Sequence, residues 1–317
     1  MLLSIGHLFF VPIQRGRGGF YMELQLQHLS KQYGMKRAVD NISVTLMPGV
    51  YGLLGANGAG KTTLMRMICG ILKPTSGNIK LNGKSMDELG EQYYTHLGYM
   101  PQDFGCYPDF TAREFMLYMA AVKGLDKKQA KIRTENLLHM VNLYDVADKK
   151  IKSYSGGMKQ RLGIAQAELN SPSIMILDEP TAGLDPKERV RFRNLISDFA
   201  KKKIVILSTH IVSDVSYIAD TILMMKQGSF LLQAPMNTVT DDIKGKVWEI
   251  LVPEREVAEY SRRFLVVNLH HENNMVRLRI VNENTPTADA NTVDPSLEDL
   301  FLYHFGEEVQ EDNKDAH

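Results

Sequence analysis

The stretch "VYGLLGANGAGKTTLMRM" constrains the fold more than any other part of the 317-residue chain. A short apolar run at 50–54 ends in the pattern G-x-x-x-x-G-K-[ST], from Gly55 to Thr62, and a helical pattern follows. Its glycines let backbone N–H groups curl around phosphates with no side chain in the way. A helix starting near Lys61 points its positive end at them. Asn57, Gly58, Ala59 and Gly60 form the bend, and Thr63 follows it. Lys61 is placed to reach the β and γ phosphates of a nucleotide, and the Thr62 hydroxyl to ligate Mg2+.

Two continuous apolar runs, "SIMIL" (173–177) and "IVILS" (204–208), read as parallel strands covered on both faces. The amphipathic "PKERVRFRNLISDFAKKK" between them completes a strand–helix–strand crossover. The first run ends in two carboxylates, Asp178 and Glu179. Consecutive strand residues face opposite sides, so one acid can meet a metal and the other the attacking water. Asp178 is expected to hold Mg2+ and Glu179 to act as general base. "MELQLQHL" (22–29) and "NISVTLM" (41–47) alternate as half-buried antiparallel strands, and "TILMM" and "SFLLQ" flank a hairpin turn.

Residues 102–154 have helical spacing and read as an insertion in the α/β domain. From 235 to 317 three strand patterns, a helix and a last short helix, "LEDLFLYHF", suggest a small α+β unit with a frayed charged tail. The 37 basic and 37 acidic residues cancel, which argues against a broad nucleic-acid surface. Cys69 and Cys106 form no CxxC pair and read as reduced thiols. No apolar run has the length of a membrane span, so any spanning belongs to another chain. The codons of Gly18-Gly19 can form a ribosome-binding sequence shortly before Met22, so residues 1–21 are expected to be a translated leader or a disordered extension.

"YSGGMKQR" is a partial second phosphate cradle, without the lysine–threonine ending. Ser155 sits where an N-cap hydroxyl would be, ahead of a helix from near Gly157 to Leu169. By itself it is an ordinary capped helix or half of an anion site. In order, the glycine loop, SGG, "LDEP", "AGLD" and "STH" resemble the nucleotide-binding subunit of ABC transporters over roughly residues 22–232.

The resemblance implies an α/β P-loop NTPase fold of ABC type. The ABC nucleotide-binding domain 22–234 would contain an antiparallel β subdomain and a helical subdomain at about 103–160, and the small C-terminal unit with its charged tail, 235–317, would follow it. It implies two domains paired head to tail, each ATP lying between one glycine loop and the other's SGG. Ser155 and Gly157 would then contact the γ-phosphate held by the partner's Lys61, with Gly156 part of the same signature. Gln102 would sense Mg2+ and the attacking water, Asp185 would communicate across the interface, and His210 would brace the γ-phosphate. Tyr33 would stack on adenine. The partners implied are a second copy or a paralogous ATPase subunit and a separately encoded membrane permease, with no nucleic acid. The chain would sit in the cytoplasm, peripheral on the inner face of the membrane.

Two positions depart from the usual signature: Tyr154 stands for leucine and Met158 for glutamine. Tyr154 and "LEDLFL" resemble the branch that exports drugs, peptide antibiotics, lipids or polysaccharides. Phe104, Tyr107, Phe110 and Phe115 would offer an aromatic groove to a permease helix. The alternatives are a non-transport ABC ATPase acting on ribosomes or DNA and a regulatory ATP-binding module. The single nucleotide domain and the lack of heptads speak against the first, and Glu179 with His210 against the second.

Overall fold

The computed structural model describes residues 22–200 and 202–312, so the expected leader 1–21 lies outside it. The chain opens with β1 (Leu24–Tyr33), β2 (Lys36–Leu46) and β3 (Gly49–Leu54). Next come α1 (Lys61–Ile68), β4 (Ser76–Leu81), β5 (Lys84–Ser85), α2 (Met86–Leu89), α3 (Glu91–Thr95) and β6 (Leu97–Met100). A helical stretch holds α4 (Ala112–Val122), α5 (Lys127–Met140) and α6 (Gly156–Ala167). The chain returns through β7 (Ile174–Asp178), α7 (Pro186–Ala200), β8 (Ile204–Ser208), α8 (Val212–Ser216), β9 (Thr221–Lys226) and β10 (Ser229–Pro235). The C-terminal part holds β11 (Val247–Pro253), α9 (Val257–Arg263), β12 (Leu265–Glu272), β13 (Met275–Val281), β14 (Asn291–Thr292) and α10 (Leu297–Asp312).

The central sheet has the order β10-β9-β3-β8-β7-β6. It is parallel from β6 to β9, and β10 closes it as an antiparallel hairpin. Every residue of β7 and β8 is buried, as their unbroken apolar runs require. An antiparallel sheet, β2-β1-β4-β5, lies over one face. Leu24, Leu26 and Leu29 of β1 share a core there with Leu64, Met65, Met67 and Ile68 of α1. Phe192, Ile196 and Phe199 of α7 cover the other face.

Helix α1 is shorter than its pattern suggests: it stops at Ile68 and the chain turns at Gly70, at φ +69°. Strands β4 and β6 carry weak local signals, one opening on Ser-Gly-Asn and the other having only four residues. The helical stretch has its own core of Phe115, Leu137, Leu138, Leu162, Ala165 and Leu169. It therefore extends past the expected boundary at 160, which falls inside α6.

The C-terminal sheet, β12-β13-β11-β14, packs Ile250, Leu278 and Ile280 against Tyr260 and Phe264. Leu297, Leu300, Phe301 and Phe305 of α10 instead join the core of the central sheet, alongside Val212 and Val215 of α8. The C-terminal helix α10 thus shares a core with the central sheet. The last helix does not end at Phe305: the backbone stays helical to Asp312.

Candidate functional site

The glycine loop leaves the carboxyl end of β3, at the edge where open parallel sheets bind ligands. Two of its glycines are imposed by neighbouring backbone. A Cβ on Gly55 would lie 2.3 Å from the Met225 carbonyl oxygen of β9. Gly60 sits at φ +105°, and a Cβ there would lie 2.1 Å from the Ala38 carbonyl oxygen of β2. Asn57 and Gly58 are exposed at the bend, Ala59 is buried, and Thr62 and Thr63 are half-buried in the first turn of α1. Lys61 is buried, and its Nζ donates to the carbonyls of Gly55 (2.6 Å) and Ala56 (3.1 Å). Burial holds its pKa below the ordinary lysine value, while the carboxylates of Glu179 and Asp178 pull it back up. The amine is thus held in place by the carbonyls of its own loop.

The two carboxylates sit at the end of β7, beside β8. Asp178 is buried, and its Oδ1 accepts a 2.7 Å hydrogen bond from Ser208 Oγ. Its Oδ2 is also buried and has no hydrogen-bond partner. Glu179 stands one residue beyond the strand at φ +51°, in the left-handed region. The turn, not strand alternation, therefore sets its side-chain direction. Its N–H donates to Ser208 O at 3.1 Å, and its Oε2 lies 2.8 Å from His210 Nδ1. Glu179 is 7% exposed, whereas the His210 side chain is 59% exposed. A buried carboxylate is thus held by an imidazole that faces solvent.

The SGG stretch opens α6. Ser155 is its N-cap, with extended backbone, and its Oγ accepts from the Met158 N–H at 3.3 Å. The helix begins at Gly156, one residue earlier than expected. Ser155 and Gly156 are exposed, and nothing lies within 4 Å of a Cβ on Gly156. A Cβ on Gly157 would lie 3.3 Å from Leu184, so the start of α6 packs on the turn that carries Asp185. Asp185 is exposed and caps α7 by accepting the Glu188 N–H at 2.8 Å. Arg161 of α6 reaches Glu188 of α7 at 3.0 Å, which joins the two segments.

The ABC transporter family model matches residues 39–182. The Nod factor export ATP-binding protein I of Burkholderia thailandensis is 35% identical over 248 residues, 76% of this chain and 82% of that protein. The bacitracin transport ATP-binding protein BcrA of Bacillus licheniformis is 38% identical over 212 residues, 66% of this chain and 68% of that protein. The chain belongs to the ABC transporter ATP-binding family. A solved ATP-binding subunit of an ABC transporter superposes with a TM-score of 0.63 at 26% identity, covering 69% of this chain and 92% of that one.

The remaining candidate residues of this ABC family chain are peripheral to the buried carboxylates. Gln102 is exposed two residues past β6, whose Met100 pairs with Leu177, next to Asp178. Tyr33 is 50% exposed at the end of β1, with Lys31 Nζ 5.3 Å from its ring centre. Of the four rings expected to line a groove, Phe115 is core and meets Phe104 edge-on. Tyr107 is exposed and packs on Phe110 and on Tyr118, a ring not singled out from sequence.

Mg2+ fits the donor set by one observation: the buried, unpartnered Oδ2 of Asp178 is an anionic oxygen left for a cation. Sequence reasoning passed over Ser208, which binds Asp178 and Glu179 together. The signal was available in "ILSTH", where a hydroxyl ends the apolar run of a buried strand.

Proposed function

We propose that this chain hydrolyses ATP to ADP and phosphate and so drives a separately encoded membrane permease of the exporter type. The observation that carries this reading is the 2.8 Å contact between Glu179 and His210, beside the free oxygen of Asp178. The named export and transport functions of the two relatives support the exporter branch.

The glycine loop would hold the α and β phosphates on backbone N–H groups, with Lys61 turning from its own carbonyls to the β and γ phosphates. Thr62, Asp178 and Gln102 would hold Mg2+, which offsets phosphate charge when bound. Glu179 takes a proton from the attacking water as the water oxygen bonds to the γ phosphorus and the bond from that phosphorus to the β–γ bridging oxygen breaks, which leaves ADP and phosphate. His210 keeps that carboxylate in place and braces the γ-phosphate. Tyr33 would lie against adenine.

The exposed Ser155 and Gly156 and the half-buried Gly157, with Asp185, would meet the γ-phosphate of a second copy or a paralogous subunit. ATP then favours the closed pair because it contacts both halves only there, and loss of the γ-phosphate releases it. The exposed Tyr107 and Tyr118 would receive a helix of the permease. Among the described residues no helix is long and apolar enough to cross a membrane. Attachment to the inner membrane face would therefore run through that partner.

The test is Glu179→Gln. It should bind ATP, hydrolyse it far more slowly and accumulate as a dimer in light scattering; hydrolysis at the wild-type rate would exclude Glu179 as the base. Purification from native membranes should also recover a multi-spanning permease. Recovery with ribosomes or DNA and no permease would favour the non-transport reading.

A further inference from the structure

Ser208 is the last residue of β8 and is fully buried. In the sheet register it stands opposite Asp178 of β7 on one side and Leu53 of β3 on the other. Its hydroxyl makes two contacts, both to the catalytic stretch. Oγ donates to Asp178 Oδ1 at 2.7 Å and accepts from the Glu179 N–H at 3.2 Å. A hydroxyl has one proton to give, and here it is committed to Oδ1. The consequence is asymmetric: one carboxylate oxygen is tied, and the other, Oδ2, is buried with no partner. The preceding residues of β8, Ile204 to Leu207, are all apolar, so packing alone does not call for a hydroxyl at this position.

We propose that Ser208 is a positioning residue that turns Asp178 so that Oδ2 presents to Mg2+, and that it steadies the Glu179 backbone in its left-handed turn. This rests on the reading that Asp178 holds the metal. Metal-ligating carboxylates commonly depend on such an outer hydrogen bond, and its loss costs about 10- to 100-fold in metal affinity. Without the hydroxyl, Asp178 can rotate, and Oδ1 becomes a second buried oxygen without a donor.

The experiment titrates Mn2+, followed by electron paramagnetic resonance, into full-length protein saturated with a non-hydrolysable ATP analogue. Ser208→Ala should weaken Mn2+ binding by about tenfold or more. Its affinity for the analogue in EDTA should stay within about twofold of wild type, since the glycine loop is untouched. Ser208→Thr keeps the hydroxyl and should recover most of the metal affinity. Ile206→Val, a core change in the same strand, should lower stability while leaving Mn2+ binding unchanged, which separates positioning from general loosening. If Ser208→Ala does not fold, Ser208→Cys, a weak donor of similar size, should show a several-fold loss. Wild-type Mn2+ affinity in folded Ser208→Ala or Ser208→Cys overturns the proposal. Asp178→Asn distinguishes the two levels. If it also binds Mn2+ like wild type, the metal assignment itself fails; if it loses Mn2+ while Ser208→Ala does not, only the role of Ser208 fails.

Discussion

Glu179 Oε2 lies 2.8 Å from His210 Nδ1, although the residues are 31 positions apart in the chain. Neighbouring parallel strands, β7 and β8, end side by side and deliver both. Replacing His210 by Ala removes the polar partner of a nearly buried carboxylate. Single-turnover hydrolysis is expected to fall by about 100-fold or more, on the scale of a lost acid–base partner. ATP affinity should change little, because the phosphate loop is intact. Unchanged turnover with His210→Ala would remove the imidazole from the mechanism.

The two glycine motifs should respond oppositely to alanine. Gly60 is at φ +105°, with a carbonyl oxygen 2.1 Å from where a Cβ would stand. Gly60→Ala should cost about 1–3 kcal/mol in backbone strain and abolish tight ATP binding. Gly156 opens α6, has no positive φ and faces open space. Gly156→Ala should leave stability unchanged or raise it by up to about 1 kcal/mol. It should still bind ATP yet fail to dimerise in the Glu179→Gln background. Urea unfolding and light scattering together check both variants.

Tyr154, a departure from the usual signature, has a structural reason. Its ring is 5% exposed in the helical core, and its hydroxyl donates to the Val146 carbonyl at 2.7 Å. Tyr154→Phe keeps the ring and removes that one hydrogen bond, while the Val146 carbonyl still accepts the Lys149 N–H at 2.9 Å. A loss of about 0.5–1.5 kcal/mol is expected, read by urea denaturation. ATP hydrolysis at low temperature should persist, since the ring makes no contact with the phosphate loop.

Docking of α10 should depend on pH through Asp299. Burial pushes this carboxyl's pKa up, but the Arg279 guanidinium and Ser296 outweigh burial and hold it below the usual range. The pair is bidentate, with both bonds 2.8 Å long. A depressed folded pKa means the stabilisation is present above the unfolded value, near about 3.9, and is lost as pH falls through the lower folded value. Asp299→Asn should cost about 1.5–3 kcal/mol at pH 7. The gap between mutant and wild type should shrink as pH falls below about 4. Urea midpoints at several pH values measure it; a gap that stays constant would exclude the pair as the source.

The glycine loop, the paired acids and the apolar runs of β7 and β8 were legible because each is a contiguous pattern whose chemistry follows from residue type and spacing. The Ser155 cap was legible for the same reason, since a serine ahead of two glycines leaves the helix few places to begin. Strand β6 was not, because four residues form a strand only when β7 supplies the pairing. The shared core of α10 was also hidden. Leu300, Phe301 and Phe305 suit any apolar face, and only the packed chain places α8 beneath them.

Sequence by itself determined the family, the nucleotide loop and the identity of the acids, since these reside in local order along the chain. The tertiary structure decided how the acids are placed. It put Glu179 in a left-handed turn against His210 and tied one oxygen of Asp178 to Ser208 while leaving the other bare. Those relations depend on strand register between segments about thirty residues apart, and register is set by the whole sheet closing at once.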